Sequence, residues 1–153
     1  VKEFGAAIEG REAIEAFLEP YVEGLREDAD GVIEQILTEL PEVDRELGSR
    51  PEFRAIMKES FTEAVRQGSR GWADDDLAFA KPWGFELEKV TAETRLWQGE
   101  LDVLTPRPHG EYVASRLPNA RFELLEDGGH FLDQEWTVVL DWLSAADVTA
   151  GGL

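Results

Sequence analysis

Leu96-Trp-Gln-Gly-Glu-Leu-Asp-Val-Leu-Thr-Pro106 and, further on, Leu117-Pro-Asn-Ala-Arg-Phe-Glu-Leu-Leu-Glu-Asp-Gly-Gly-His-Phe131 decide the reading of this chain. Thr94–Gln98 has the length and composition of a short strand, and Arg121–Leu125 that of a second. Pro106–Leu117 between them predicts a helix. Pro106 and Pro108 fall in its first turn, where a missing N–H leaves no helical bond unmade, and Thr105 is a candidate cap. The whole span suits a parallel strand–helix–strand crossover, which should be right-handed. Phe131–Leu143 predicts a last helix, with Phe131, Leu132, Trp136, Val139, Leu140 and Leu143 on its buried side.

Side chains just past the carboxyl ends of parallel strands share one rim of the sheet. Asp102 follows the first strand and His130 the second. Neighbouring strands lie ~4.8 Å apart, so the two loops can meet. A carboxylate that accepts from one imidazole nitrogen fixes the tautomer and supports the cation that forms. The other nitrogen can then take a proton from a hydroxyl and return it to a leaving group. Gly128 and Gly129 suit a sharp approach of the backbone to such a site. The residues alone also fit a plainer picture, in which Asp102 caps its own loop and Gly-Gly-His is an ordinary turn.

Upstream, apolar residues recur at helical spacing. Ile14, Phe17, Leu18, Tyr21, Val22 and Leu25 form one stripe, with Pro20 marking a kink or break near Glu19. Ala29, Val32, Ile33, Ile36, Leu37 and Leu40 form a second, ending at Pro41. Phe53, Ile56, Met57, Phe61, Ala64 and Val65 form a third over 50–67. Ser49 and Glu52 have capping-box spacing before it, and Gly68 suits its end. Asp74 is placed to cap a short helix running to Ala80, with Asp75 and Asp76 in its first turn. Trp72, Trp83 and Phe85 cluster in a Gly- and Pro-punctuated stretch. They read either as core packing or as an apolar wall lining a substrate site. His109, soon after Asp102, reads either as lining a substrate entrance or as a capping or surface residue. The expected organisation is a helical region over 1–93, a βαβα unit over 94–145 and a flexible tail over 146–153. The fold class is α/β, mostly helical first and parallel afterwards.

The two quoted segments resemble the C-terminal part of the α/β-hydrolase superfamily. The superfamily's strand, Gly-x-x-Asp-x-x-x-Pro, helix, Pro-x-Ala, strand, Gly-His pattern runs from Gly99 to Pro106 and from Pro118 to His130. Residues 71–85, with Pro108-His-Gly110, resemble a bacterial subgroup of single-domain hydrolases in which the helices matching 1–80 form a cap. The resemblance implies that Asp102 is the triad acid and His130 the triad histidine. It implies a serine-dependent, esterase-like parent that hydrolyses a small ester or amide without a cofactor. The nucleophile elbow, Gly-x-Ser-x-Gly, precedes the acid and histidine in this superfamily. Ser49, Ser60, Ser69, Ser115 and Ser144 lack its context, so this chain alone is expected to be inactive. An aspartate nucleophile, as in haloalkane-type hydrolases, would leave the same downstream residues. A non-catalytic helical interaction or oligomerisation module is the remaining alternative.

Composition narrows the partners. The chain has 153 residues and 42% apolar side chains, enough to bury a core of its own. The 33 acidic residues outnumber 15 basic ones, giving a formal charge of −18, so nucleic acid and anionic membranes would be repelled. No apolar run reaches the ~18 residues of a membrane span. Without cysteine there are no disulfides or thiolate sites, and no Cys/His spacing points to a metal. The start has no signal-peptide h-region and no initiator methionine, so the chain is expected to be cut from a longer cytoplasmic protein. Two parallel strands do not make a stable sheet. An N-terminal half or a second copy is therefore the expected partner. Eleven arginines against four lysines in so acidic a chain also fit a salt-rich cytoplasm, where stability should rise with salt.

Overall fold

Five helices precede a parallel strand–helix–strand–helix unit in the computed structural model, which describes residues 2–150, with residue 134 and residues 146–150 as backbone. Helices α1 (Lys2–Glu9), α2 (Arg11–Thr38), α3 (Glu42–Gly48), α4 (Pro51–Ala64) and α5 (Arg70–Phe79) come first. A 3-10 turn, Leu87–Lys89, leads to β1 (Thr94–Gly99), α6 (Arg107–Arg116) and β2 (Ala120–Leu125). A second 3-10 turn, Asp133–Glu135, opens α7 (Trp136–Ala150). Most of the expected tail, up to Ala150, continues α7; residues 151–153 lie outside the described residues.

Helix α2 is the axis of the helical region and packs against α1, α4 and α5. Its first stripe buries Ile14, Leu18, Val22 and Leu25, and its second buries Ala29, Ile33 and Leu37. Each large side chain removed completely from water stabilises by about 1.5–3 kcal/mol. The stripes belong to two helical segments that meet at Asp28, where φ is −148° and ψ 75°. There the Asp28 carboxylate accepts the Gly31 N–H at 3.0 Å, capping the second segment. Gly31 is needed for that approach, since a Cβ at this position would overlap the carboxylate. No break falls at Pro20, which lies inside continuous helix; the local cap at Asp28 sets the break.

Other caps also differ from expectation. Arg50 rather than Ser49 precedes α4, and the Ser49 hydroxyl donates to the Glu46 carbonyl. Helix α5 starts at Arg70, so Asp74 lies inside it and pairs with Arg11 of α2. Pro106 caps α6, while the Thr105 N–H is taken by Asp102. Gly68 does sit in a turn, three residues beyond the α4 C-cap, at a φ of 97° that only glycine adopts readily.

Asp76 is the polar intruder in the α1–α5 interface. It is 4% exposed, one carboxylate oxygen has no hydrogen-bond partner among the described residues, and Glu3 lies beside it. Burial, then the charge and hydrogen bond of Glu3, push its carboxyl up from 3.8 to about 6. The folded chain thus holds this proton more tightly than the unfolded chain. The contribution of Asp76 to stability falls as pH rises through the 3.8-to-6 window and stays low above it. Asp76→Asn should therefore stabilise the chain at pH 7 by roughly 2 kcal/mol and flatten that pH window. Urea midpoints on both sides of the window measure this; an unchanged midpoint at neutral pH contradicts it.

The strands pair in parallel, from Thr94 beside Ala120 to Gly99 beside Leu125. Alternation along β1 assigns its two faces. On one, Gly110 of α6 sits so close to Gln98 and Phe122 that a Cβ would come within 2.7 Å and 2.9 Å of them. On the other, Trp142 of α7 meets Trp97 edge-on at 6.1 Å, and Arg95 lies over its ring. The sheet has these two strands only among the described residues, and Trp136, Leu140 and Leu143 of α7 are exposed, while Phe131, Leu132 and Val139 are half-buried. The expected burial of Trp136, Leu140 and Leu143 fails because no described element covers that face. Among the described residues no helix is long and apolar enough to cross a membrane.

Candidate active site

Both strands run toward the same edge, and there the chain brings Asp102 and His130 together. The His130 Nδ1 lies 3.1 Å from Asp102 Oδ2. The carboxylate is fixed from the other side, because Asp102 Oδ1 accepts the N–H groups of Leu104 and Thr105, each at 2.9 Å. An oxygen held by two donors leaves its partner oxygen aimed at the imidazole. That oxygen is an acceptor, so Nδ1 carries the proton and Nε2 is left as a base. The Asp102 side chain is 7% exposed and that of His130 36%, so the acid is sheltered and the ring is open.

Backbone contacts explain the glycines. The 126–129 loop folds across the end of β1, with Leu101 N–H donating to the Gly128 carbonyl at 2.9 Å. A Cβ on Gly99 would strike the carbonyl oxygens of Gly128 and Gly129, so no larger residue fits there. Gly99→Ala should push the two loops apart and destabilise the chain by about 1–3 kcal/mol. It should also lengthen the Asp102–His130 contact, seen as loss of a downfield Nδ1 proton resonance. Retention of that resonance at full stability would contradict the close approach.

Two residues join this site without a sequence signal. Gln98, at the end of β1, donates from Nε2 to the Thr105 carbonyl at 2.8 Å and lies 3.4 Å from Asp102 Oδ2. It bridges the ends of the loop that carries Asp102. Asp44, on α3, accepts the N–H groups of His130 and Phe131, each at 2.9 Å. Phe131 meets Phe53 edge-on at 5.1 Å and packs against Ile33, Leu37, Leu40 and Met57. The Arg50–Asp133 ion pair, at 2.9 Å, adds a third tie between the helices and this loop.

The remaining candidate residues lie elsewhere. Trp72 packs inside the helical region and donates from Nε1 to Glu3 at 2.7 Å. With Tyr21, Leu25, Ile36 and Phe61 it lines an apolar cavity of about 290 Å³. Trp83 and Phe85 stack at 5.8 Å and line an exposed groove with Tyr112 and Arg116. Those two partners belong to the second half of α6, which runs away from the edge that carries Asp102. His109 is exposed in the first turn of α6. The hydroxyl of Ser49, just past α3, donates back to a carbonyl of that helix, those of Ser115 and Ser144 donate to carbonyls of their own helices, and that of Ser69 meets Glu19. None of these four serines bonds to His130. Among the described residues no group of three or more His, Asp or Glu side chains is placed to hold a metal.

No family model matches the chain. Its fold is similar to that of an esterase, EaEST, from Exiguobacterium antarcticum, at a TM-score of 0.52 and 19% sequence identity. The match covers 87% of this chain and 48% of the esterase, so the chain spans about half the length of that protein. At this identity the likeness is one of fold: a helical region followed by the β1–α6–β2–α7 unit.

Proposed function

We propose that the chain is the cap and the acid–histidine portion of a serine-dependent ester or amide hydrolase of α/β-hydrolase type. The observation that carries this reading is the Asp102–His130 contact of 3.1 Å at the shared strand edge. Asp102 orients the ring and stabilises the imidazolium. Nε2 of His130 removes the proton from a serine hydroxyl as its oxygen attacks the substrate carbonyl. The same proton passes to the departing alcohol or amine. Water then repeats the exchange at the acyl-enzyme and releases the acid and the free serine. The serine belongs to a preceding segment of the full-length protein, which also covers β1 and the exposed face of α7. Without it, this chain has a base and no nucleophile and performs no turnover. The helical region, 1–93, acts as the cap over the substrate.

Reading the coding sequence ahead of Val1 tests the proposal. It should contain Gly-x-Ser-x-Gly between a strand and a helix. An aspartate at the elbow would replace the serine mechanism with an alkyl-enzyme one. An upstream region with neither would remove the hydrolase reading and favour a helical interaction module.

A further inference from the structure

We infer that Asp44 is a positioning residue for His130, coupling the orientation of the imidazole to helix α3. The inference rests on the acid–histidine reading above and extends it to a residue outside the strand–helix unit. Asp44 is 0% exposed. Its two carboxylate oxygens each accept one backbone N–H, Oδ2 from His130 and Oδ1 from Phe131, at 2.9 Å. No Lys, Arg or His side chain pairs with it among the described residues. A buried carboxylate without a cation is costly, and these two N–H groups offset that cost.

The geometry points to the histidine loop as the purpose of this carboxylate. Gly129 precedes His130, and a Cβ there would overlap the Asp44 carboxylate. The bonds to successive amides fix the backbone at His130 and hence the direction of its Cα–Cβ bond. Only two side-chain torsions then remain for Asp102 to settle. His130 is therefore held at two points: its backbone from the helical region by Asp44, and its ring from the β1 loop by Asp102. Other charged groups around this loop include Asp133, paired with Arg50, Glu135 just beyond it, and Asp127 and Glu126 in the turn before it. A helix that carries Asp44 into or out of place would thereby align or release the base.

The test is imidazole and amide NMR on this chain, which needs no turnover. D44N keeps the shape of the side chain but replaces one acceptor with an N–H₂ group that faces a backbone donor. In folded D44N the amides of His130 and Phe131 should exchange at least about ten-fold faster. The ring should lose its Nδ1–H preference, and its nitrogen shifts should move toward the Nε2–H form. A residue that only stabilises the fold would lower the melting temperature and leave the ring shifts of the folded protein unchanged; that result overturns the inference. If D44N does not fold, G129A displaces the same carboxylate and carries the same expectation. Exchange of the wild-type His130 and Phe131 amides at exposed-peptide rates would overturn it without any variant. Failure of the hydrolase reading shows separately, as absent ester turnover by the full-length protein, with these NMR results unaffected.

Discussion

On the function proposed above, Asp102→Asn should lower kcat/KM of the full-length protein for an ester by roughly 10³–10⁴-fold, with little change in stability. The loss follows from how the carboxylate is held. Asp102 Oδ1 faces the N–H groups of Leu104 and Thr105, so the carbonyl oxygen of an asparagine would stay there. Its N–H₂ group would then face Nδ1 of His130. Two donors cannot share that contact, so the ring must turn Nδ1 into the acceptor and move its proton to Nε2. Nε2 then has no lone pair for the serine proton. Steady-state rates with a short-chain aryl ester measure the effect, and His130→Ala should match or exceed it. A decrease of less than ten-fold would mean that Asp102 is a loop cap with no part in the chemistry.

Ile33→Ala should destabilise the chain by about 2–5 kcal/mol. Ile33 is wholly buried in the second half of α2, in the cluster with Leu37, Leu40 and Met57 against which Phe131 packs. Removing its outer carbons opens a cavity under the residue that follows His130. Domains of this size have about 5–15 kcal/mol of net stability, so the change consumes a large share of it. The urea midpoint should fall with an unchanged slope. A loss below about 1 kcal/mol would indicate that the cluster collapses freely around the gap, and that the seat of Phe131 is not rigid.

The two strands and their crossover helix were legible because each carries a local signal. Strand composition, prolines confined to a first turn, and Asp-Gly-Gly after an apolar run all act within a few residues. The apolar stripes of α2 were legible for the same reason, since helical periodicity is local. The break in α2 falls at Asp28, between the two stripes, rather than beside Pro20. Its cause is a side-chain cap at Asp28 and the space left by Gly31, which hydrophobic spacing does not record. Asp44 was invisible for a deeper reason. It lies 86 positions from His130, and in a chain with 33 acidic residues a buried aspartate on a helix looks like any surface one. The exposed side of α7 marks the opposite limit. Trp136, Leu140 and Leu143 have the periodicity of a buried face, but periodicity does not say which element does the burying.

Asp102 and His130 stand at two strand ends, and one imidazole bond joins them. On the proposed function this dyad serves a serine lying outside this chain. The most direct measurement compares short-chain aryl ester turnover by this chain, by the full-length protein, and by the full-length protein carrying His130→Ala. Turnover by the full-length protein alone, lost in the variant, is the expected result. Robust turnover by this chain that disappears on His130→Ala would contradict it, because the nucleophile would then lie within residues 1–153.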